Sequence, residues 1–592
     1  MDQLNESLLD KIKEAITDYE EKKYPSLSTS FREKLKLSKK TNNKELELLL
    51  TLLLTVFSFY YLQSNKRLPF GPTEELPDGS RVMMLEKLED KDLDNLQKIL
   101  VATENPEFNA RICDVLWIRK KDYAYAKNAI LSYVECLGKN EEDLEITRIE
   151  CLRRAMQISL KIKDKAQINN IKIKILDLFE KGRKTCFNPQ TDYLPYNLVQ
   201  IIVENKLADN WEELGEKLIE IAKGFPISPG CDAPRAYYDL AAKCYHYAKQ
   251  FSKEKDAKLS IAHHFEQEAN CFNTPNACDG FNMAYRIQKA IDAYRKVKGQ
   301  KEKINKLIVE LKEANKITLN QTKCITGEIK VDNILKSVED NMKDKEGKDL
   351  IRSFILLYIP PSYQKVKELV ENINAKYPVQ SLMSETVIVP EGNISVKNPG
   401  MINNSEERIK QDIIKQYNLQ QEFTGFTVFR KGISIILNSN GTWKIAIKEL
   451  VKNSIFVPKE RAYIYERALL AGINGDCLMF LHLIIPQLEN SVRYVFGLNN
   501  FKTTSAQQTG VQRERDLNQL LEDKNAEILF GKDLLWEMKT LLVEQNGPNI
   551  RNRLCHGLMT INEINSEYPI FLLWLATFLL FCFKKETTNN NE

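Results

Sequence analysis

The sequence predicts an all-α protein: an irregular, solenoid-like helical N-terminal region followed by a C-terminal four- or five-helix bundle. Two observations predict this class. Only 23 Gly and 20 Pro occur in 592 residues, so breakers are too sparse for a chain of many short strands. Apolar residues recur at helical spacing through successive stretches between Pro106 and Tyr377, and again from Pro458. The length is too great for a single core, and segments 1–105, 106–380, 381–457 and 458–592 are the expected divisions.

Residues 1–105 start as Lys/Glu-rich helix around the apolar run Leu48–Leu62, then reach a loop marked by Pro69, Gly71, Pro72, Pro77 and Gly79. Helical hairpins are expected across 106–380. In Tyr123–Cys136, Ala126, Ala129, Ile130 and Tyr133 share one face, and in Ala233–Phe251 Ala236, Leu240, Ala241, Cys244 and Ala248 do the same. Small residues at crossings beside aromatics resemble tetratricopeptide-like hairpins, but no strict period is visible. Such arrays present partner surfaces; a compact helical domain without a binding role is the alternative.

Segment 381–457 reads as a linker. Thr386–Ser405 is turn-rich, with a linker or short strands expected. Phe426–Phe429 and Ile433–Leu437, flanking Lys431-Gly432, together with the turn Asn438–Gly441, predict a small β-hairpin within 426–447. The bundle follows: Arg461–Ile473, Cys477–Phe496 with a kink expected at Pro486, Leu517–Phe530, Lys532–Gln545, and the apolar run Ile570–Phe583. Both apolar runs fall short of the ~20 residues of a membrane span, so buried core helices are expected; a tail anchor is the alternative for the second.

A net charge of +4 argues against a broad nucleic-acid-binding coat and leaves room for a local basic pocket. The 12 cysteines form no CxxC pair and no cluster at metal-ligand spacing, and Met1–Lys22 contains no apolar signal region. A reduced, cytoplasmic protein with free thiols and no metal or cofactor is the expectation.

The chemistry concentrates in Arg551-Asn552-Arg553-Leu554-Cys555-His556-Gly557. Gly547-Pro548 stops the preceding helix and Asn549 is the expected N-cap of a new one. Arg551 and Asn552 then lie in its first turn, where free N–H groups favour an anion. No acid lies between Gln545 and Asn562, so a local positive field is expected, with phosphate as its guest. His556, one of five histidines, titrates in the range needed for proton transfer near neutrality. RNA brings its own nucleophile, the 2′-OH, so histidine and arginine could cleave it without metal. Arg551 and His556 are five residues apart, about 140° on an ideal helix. A site using both needs a kink or two copies of the motif.

Arg551, Asn552, His556 and Gly557 resemble the RNxxxHG signature of an uncharacterised domain family within the HEPN (higher eukaryotes and prokaryotes nucleotide-binding) superfamily. Gly475-Asp476 through Pro486–Glu489 to Arg493 resembles the second helix of that family, and the similarity covers about Pro458–Lys585. It implies an all-α, usually dimeric bundle and a metal-independent endoribonuclease acting through Arg551, Asn552 and His556. RNA, such as tRNA, would be the substrate, and phage defence, a toxin–antitoxin system or RNA processing the setting. Glu489 and Arg493, four apart, form a helix ion pair, and Glu489 could also reach and orient Arg551 or His556. Arg553 and Gly557 complete the supporting set. His482 reads as a core or surface histidine, the pair His263-His264, with Glu266, as a helix surface, Arg513 and Arg515 as a solvated loop, and Cys555 as a spacer. Two competing functions remain: a non-catalytic scaffold that dimerises through the bundle, and a phosphate- or nucleotide-binding domain. No Walker-type loop supports a nucleotidase.

Overall fold

The computed structural model describes residues 6–22, 26–41, 43–59, 61, 69–71, 84–101, 103–137, 146–184, 193–274, 277–322, 327–389, 392–402, 405–506 and 512–585. The expected loop around Pro72, Pro77 and Gly79 lies outside the described residues. The chain is all-α and divides into two compact units, Met1–Leu311 and Lys312–Glu592. The four segments expected from the sequence are not the units of this division. No boundary falls at 380 or 457.

The first unit comprises α1 (Glu6–Glu21), α2 (Leu27–Lys40), α3 (Lys44–Ser58), α4 (Asp90–Leu100), α5 (Pro106–Lys120), α6 (Tyr123–Glu135), α7 (Ile146–Ile162), α8 (Lys165–Gly182), α9 (Leu194–Glu204), α10 (Trp211–Gly224), α11 (Ala233–Tyr247), α12 (Phe251–Cys271), the two-residue strands β1 (Asn273–Thr274) and β2 (Ala277–Cys278), and α13 (Gly280–Arg295). The unit boundary falls within α14 (Lys301–Gln321). Most of these helices pack against the next in sequence, and one apolar core runs from Leu8 to Ala257. The Leu48 run is buried there as α3.

A period invisible in the sequence appears in the backbone. Lys121, Lys163, Lys206 and Lys249 all adopt left-handed φ between 56° and 59°. They stand 42, 43 and 43 residues apart (163−121, 206−163, 249−206). Each closes the first helix of a pair: α5–α6, α7–α8, α9–α10 and α11–α12. Behind three of them the next N–H reaches back to close the helix: Asp164 to the Ser159 carbonyl, Leu207 to Ile202 and Gln250 to Tyr245. The expected irregular solenoid is therefore four helix pairs whose turns recur at near-constant spacing. Lysine replaces the glycine usual at such positions, which hid the repeat.

The second unit continues with α15 (Asp332–Met342), α16 (Gly347–Ile355), α17 (Tyr363–Lys376), α18 (Pro378–Leu382), β3 (Glu385–Ile388), β4 (Ile394–Asn398), α19 (Ser405–Thr424), a π-helical turn (Gly425–Phe429), α20 (Arg430–Leu437), α21 (Trp443–Lys452), α22 (Ala462–Ile473), α23 (Cys477–Leu498), β5 (Thr504–Ala506), β6 (Gln512–Glu514), α24 (Leu517–Leu521), α25 (Lys524–Phe530), α26 (Lys532–Leu542), α27 (Ile550–Cys555), α28 (Ile561–Ile564) and α29 (Glu567–Cys582). β3 and β4 form an antiparallel hairpin, so the strands expected near Thr386 are present. The hairpin expected within 426–447 is absent: that stretch is the π-turn, α20 and α21. Local β-propensity lost to packing. Phe429 and Ile436 sit two helical turns apart and both are buried. Phe429 stacks on Trp574 at 5.1 Å, and a Cβ at Gly432 would lie 2.8 Å from Phe354, so only glycine lets α20 approach so closely. Segment 381–457 is thus core structure, not linker.

The stretch Ile561–Cys582 is long and apolar enough to cross a membrane by length and composition. Its helix α29 is buried nearly all round, with Phe571, Leu572, Trp574, Leu575 and Leu579 at the centre of the second unit's core. The Trp574 indole donates to the Ile355 carbonyl at 2.9 Å. α23 runs unbroken through Pro486, while the helix expected over Leu517–Phe530 is split into α24 and α25, with Asp523 capping the second.

Candidate functional site

The heptapeptide is held by a turn that several elements clamp. Between α26 and α27, the Asn546 carbonyl accepts from Asn418 Nδ2 at 2.8 Å. Its amide donates to Asn398 Oδ1 at 2.7 Å and to Gln411 Oε1. A Cβ at Gly547 would lie 2.1 Å from the Thr540 carbonyl oxygen, so glycine is required. Asn549 then takes a left-handed conformation, φ 48° and ψ 42°, without capping the helix by its side chain. This corrects the expected cap. Its Oδ1 instead accepts from Asn552 Nδ2 at 2.7 Å.

α27 is only six residues long. Leu558 N–H bonds the Arg553 carbonyl at 2.8 Å and Gly557 N–H the Leu554 carbonyl at 3.1 Å, with Gly557 at φ 65°. This is a Schellman stop, which explains the glycine of the motif as a backbone requirement. His556 is the C-cap, and the helix is too short to supply the expected dipole site.

The expected positive field is also corrected, because carboxylates from outside the acid-free window neutralise it. Glu489 Oε2 lies 3.0 Å from Arg551 Nε and 2.9 Å from Nη2. Its Oε1 accepts from Arg493 Nη2 at 3.1 Å, and Arg493 Nε lies 3.2 Å from Glu514 Oε2. Arg551 Nη1 donates to Asn552 Oδ1 at 2.8 Å. The result is a continuous relay: Glu514, Arg493, Glu489, Arg551, Asn552 and Asn549. Glu489 reaches Arg551 as its helix position suggested, and three N–H groups of the guanidinium are engaged. Among the described residues the remaining two N–H groups have no partner. Arg553 makes a two-point pair with Glu563, 2.7 and 3.0 Å, and Glu563 also closes a capping box with Thr560. His556 is exposed, and among the described residues its ring has no hydrogen-bond or ion-pair partner. The structure therefore joins Arg551, Asn552, Glu489 and Arg493, and leaves His556 outside that bonded set.

Of the other singled-out residues, His482 is exposed, with Nδ1 2.9 Å from the Leu478 carbonyl, and Cys555 is exposed. Arg515 is not in a solvated loop: it follows the β5–β6 hairpin and binds Asp523 at 2.7 Å. His264 is buried rather than at a surface. Its Nδ1 lies 2.8 Å from Arg235 Nη1, which also holds Glu268 at 2.6 Å. Burial, with Arg235 and Arg286 beside it, pushes the imidazole down to about 4. It stays neutral and serves the helix packing.

A carboxyl group unnoticed in the sequence sits at the centre of the second unit. Glu537 on α26 is fully buried. It accepts from Gln421 Nε2 at 2.7 Å and from the Tyr358 hydroxyl at 3.2 Å. Burial pushes its pKa up to about 7. Because the folded state holds the proton more tightly, ionisation works against the fold. The loss begins near the unfolded value of about 4.3, grows until about pH 7, and is constant above. Glu537→Gln should therefore stabilise the second unit by roughly 3 kcal/mol at pH 8 and by almost nothing at pH 4. Urea titrations at the two pH values would decide it, and a pH-independent difference would refute the assignment.

A family model described as a domain of unknown function, DUF7380, matches residues 6–171. No curated protein sequence matches the chain. A solved structure described as a circular tandem repeat protein with novel repeat topology and enhanced subunit contact surfaces is 12% identical over 96% of each chain, with a TM-score of 0.12. That score carries no argument about fold. Over residues 6–171, then, the chain is similar to the DUF7380 domain family, while the heptapeptide lies far outside the matched span.

Proposed function

We propose that the protein is a metal-independent endoribonuclease of HEPN type. The observation that carries this reading is the pairing of a braced arginine with a free histidine on one short helix. Glu489 and Asn552 fix Arg551 with two N–H groups to spare, and His556 is exposed. His556 takes the proton of the ribose 2′-OH, whose oxygen attacks the adjacent phosphorus. The 5′-oxygen leaves, taking up a proton, and a 2′,3′-cyclic phosphate remains. Arg551 binds the phosphate and stabilises the charge that grows on its oxygens. One imidazole cannot act as base and acid at the same instant, so the working site takes His556 from two copies. Exposed Leu558 and Ile561 beside the motif, 58% and 64% accessible, suit such an apolar homodimer contact. The helix pairs of the first unit then receive the trigger or protein partner of a cytoplasmic defence or toxin effector.

The test is cleavage of total RNA or tRNA in EDTA by the wild type, His556→Ala and Arg551→Ala. Loss in both variants supports the reading, and equal cleavage by all three refutes it. Arg551→Ala should also unfold earlier, since it strands Glu489. The ion pairs of Arg551 and Arg553 favour a second reading, a non-catalytic scaffold. Absence of cleavage by a folded wild type, with only the stability effect of Arg551→Ala, would select it.

A further inference from the structure

A cleft of about 500 Å³ opens between α15, α16 and the π-helical turn, all within the second unit. That volume falls in the range of small-molecule sites, roughly 300–1,000 Å³. Residues four apart on α15 share a face. Asn333, Ser337 and Asn341 give the cleft a polar wall, and Ile334 and Val338 begin its apolar floor. Leu357 and Val428 complete the floor. Val428 belongs to the π-turn, whose next residue, Phe429, enters the core and stacks on Trp574. Such turns recur at functional sites. Leu356 at the rim is 46% exposed, so a ligand that covers it removes apolar surface from water.

One ammonium lines the cleft, and no carboxylate does. Lys345, between α15 and α16, holds its Nζ 2.8 Å from Ser353 Oγ and has no ion pair among the described residues. Its neighbours differ: Lys431 pairs with Glu339, and Lys348 with Glu449. Two N–H groups of Lys345 are therefore left for a ligand. Ser353 accepts from Lys345, so its own O–H is free to donate beside them. Asn341 Nδ2 donates to the Ser337 carbonyl at 2.8 Å, while the Asn333 amide has no partner among the described residues. Outside the cleft the same segment is acidic, with Asp340, Asp344 and Glu346 exposed. These charges repel a polyanion such as RNA, and one lysine cannot neutralise it.

We propose that this cleft binds a small amphipathic molecule carrying a single negative charge. Its anionic group sits at Lys345 and Ser353, and its apolar body lies on Ile334, Val338, Leu357 and Val428. The amides of α15 take polar substituents between the two. Both halves are needed: an exposed ammonium alone holds an anion weakly, and the floor alone does not select for charge.

The probe for the test is anilinonaphthalene sulfonate, an apolar fused ring with one sulfonate, titrated into the full chain and followed by its fluorescence. It should bind saturably, and amide exchange in 332–357 and 425–429 should slow in its presence. Lys345→Glu should weaken it about tenfold or more, and Lys345→Arg should keep it within about threefold. Phenylnaphthylamine, the same ring system without the sulfonate, should bind the wild type and Lys345→Glu alike. No saturable binding at millimolar probe, protection confined to other segments, or equal sulfonate affinity in the wild type and Lys345→Glu would each overturn the proposal. Lys345 is exposed, and the wild-type exchange pattern locates the site even if a variant fails to fold.

Discussion

His556→Ala is expected to lower RNA cleavage by about 10²–10⁴-fold and to leave folding almost untouched. The separation of the two effects is what gives the experiment its force. The imidazole is exposed and has no partner among the described residues, and its backbone N–H bond to the Asn552 carbonyl, 3.0 Å, survives the substitution. Exposed sites of this kind change stability by within about 0.5 kcal/mol. Arg551 is a poorer probe. Removing it also leaves the Glu489 carboxylate with Arg493 alone and breaks the bond to Asn552, so lost activity would be confounded with a loosened bundle. Cleavage rates of the two variants beside their unfolding curves would therefore separate chemistry from architecture. Retained cleavage in a correctly folded His556→Ala would remove the histidine from the mechanism.

Arg154→Ala should carry the largest stability cost in the molecule. Arg154 on α7 reaches Asp114 on α5 through two bonds, Nε to Oδ2 at 2.7 Å and Nη2 to Oδ1 at 2.8 Å. Asp114 is fully buried, and the Tyr133 hydroxyl donates to the same Oδ2 at 3.0 Å. Without the guanidinium, a charged carboxylate remains in the core. Breaking such a buried pair costs about 3–5 kcal/mol. Amide exchange in α5–α7 should then accelerate by roughly two to three orders of magnitude, from 1.4 kcal/mol per tenfold. Replacing both partners by leucine should recover much of the loss, because no charge is then stranded. Unchanged exchange in Arg154→Ala would show that the pair is not closed in solution.

The sequence revealed patterns better than partners. α6 follows from Ala126, Ala129, Ile130 and Tyr133, all buried as their spacing required. α29 covers nearly all of the apolar run read at Ile570–Phe583, and most of that run is buried as expected. The stretch 426–437 misled because β-branched and aromatic residues favour strands locally, while Trp574, almost 150 residues away in sequence, settled the matter by packing. At the candidate site, the breaker and the turn to a new helix were legible, and so was Glu489, through its four-residue spacing from Arg493. Glu563 was missed although it stands one residue beyond the acid-free window, and Thr560-x-x-Glu563 is a capping-box pattern. Glu537 carries no local signal, since nothing in its neighbours separates a core carboxylate from a surface one. The 42- to 43-residue spacing of lysines escaped because it is written in φ angles rather than in residue types that favour them.

The position of α29 has a consequence for synthesis. Domains assemble from the N-terminus while the ribosome advances at about 5–20 residues per second. The first unit can close once residue 311 has emerged. The second lacks its central helix until residue 582 is free, on the order of tens of seconds later. Through that interval α22, α23 and α26 have no α29 to pack on, and the turn that carries Arg551 and His556 has no settled bundle beneath it. The Arg551–His556 segment therefore reaches its native surroundings last, after nearly all of the described chain has left the ribosome.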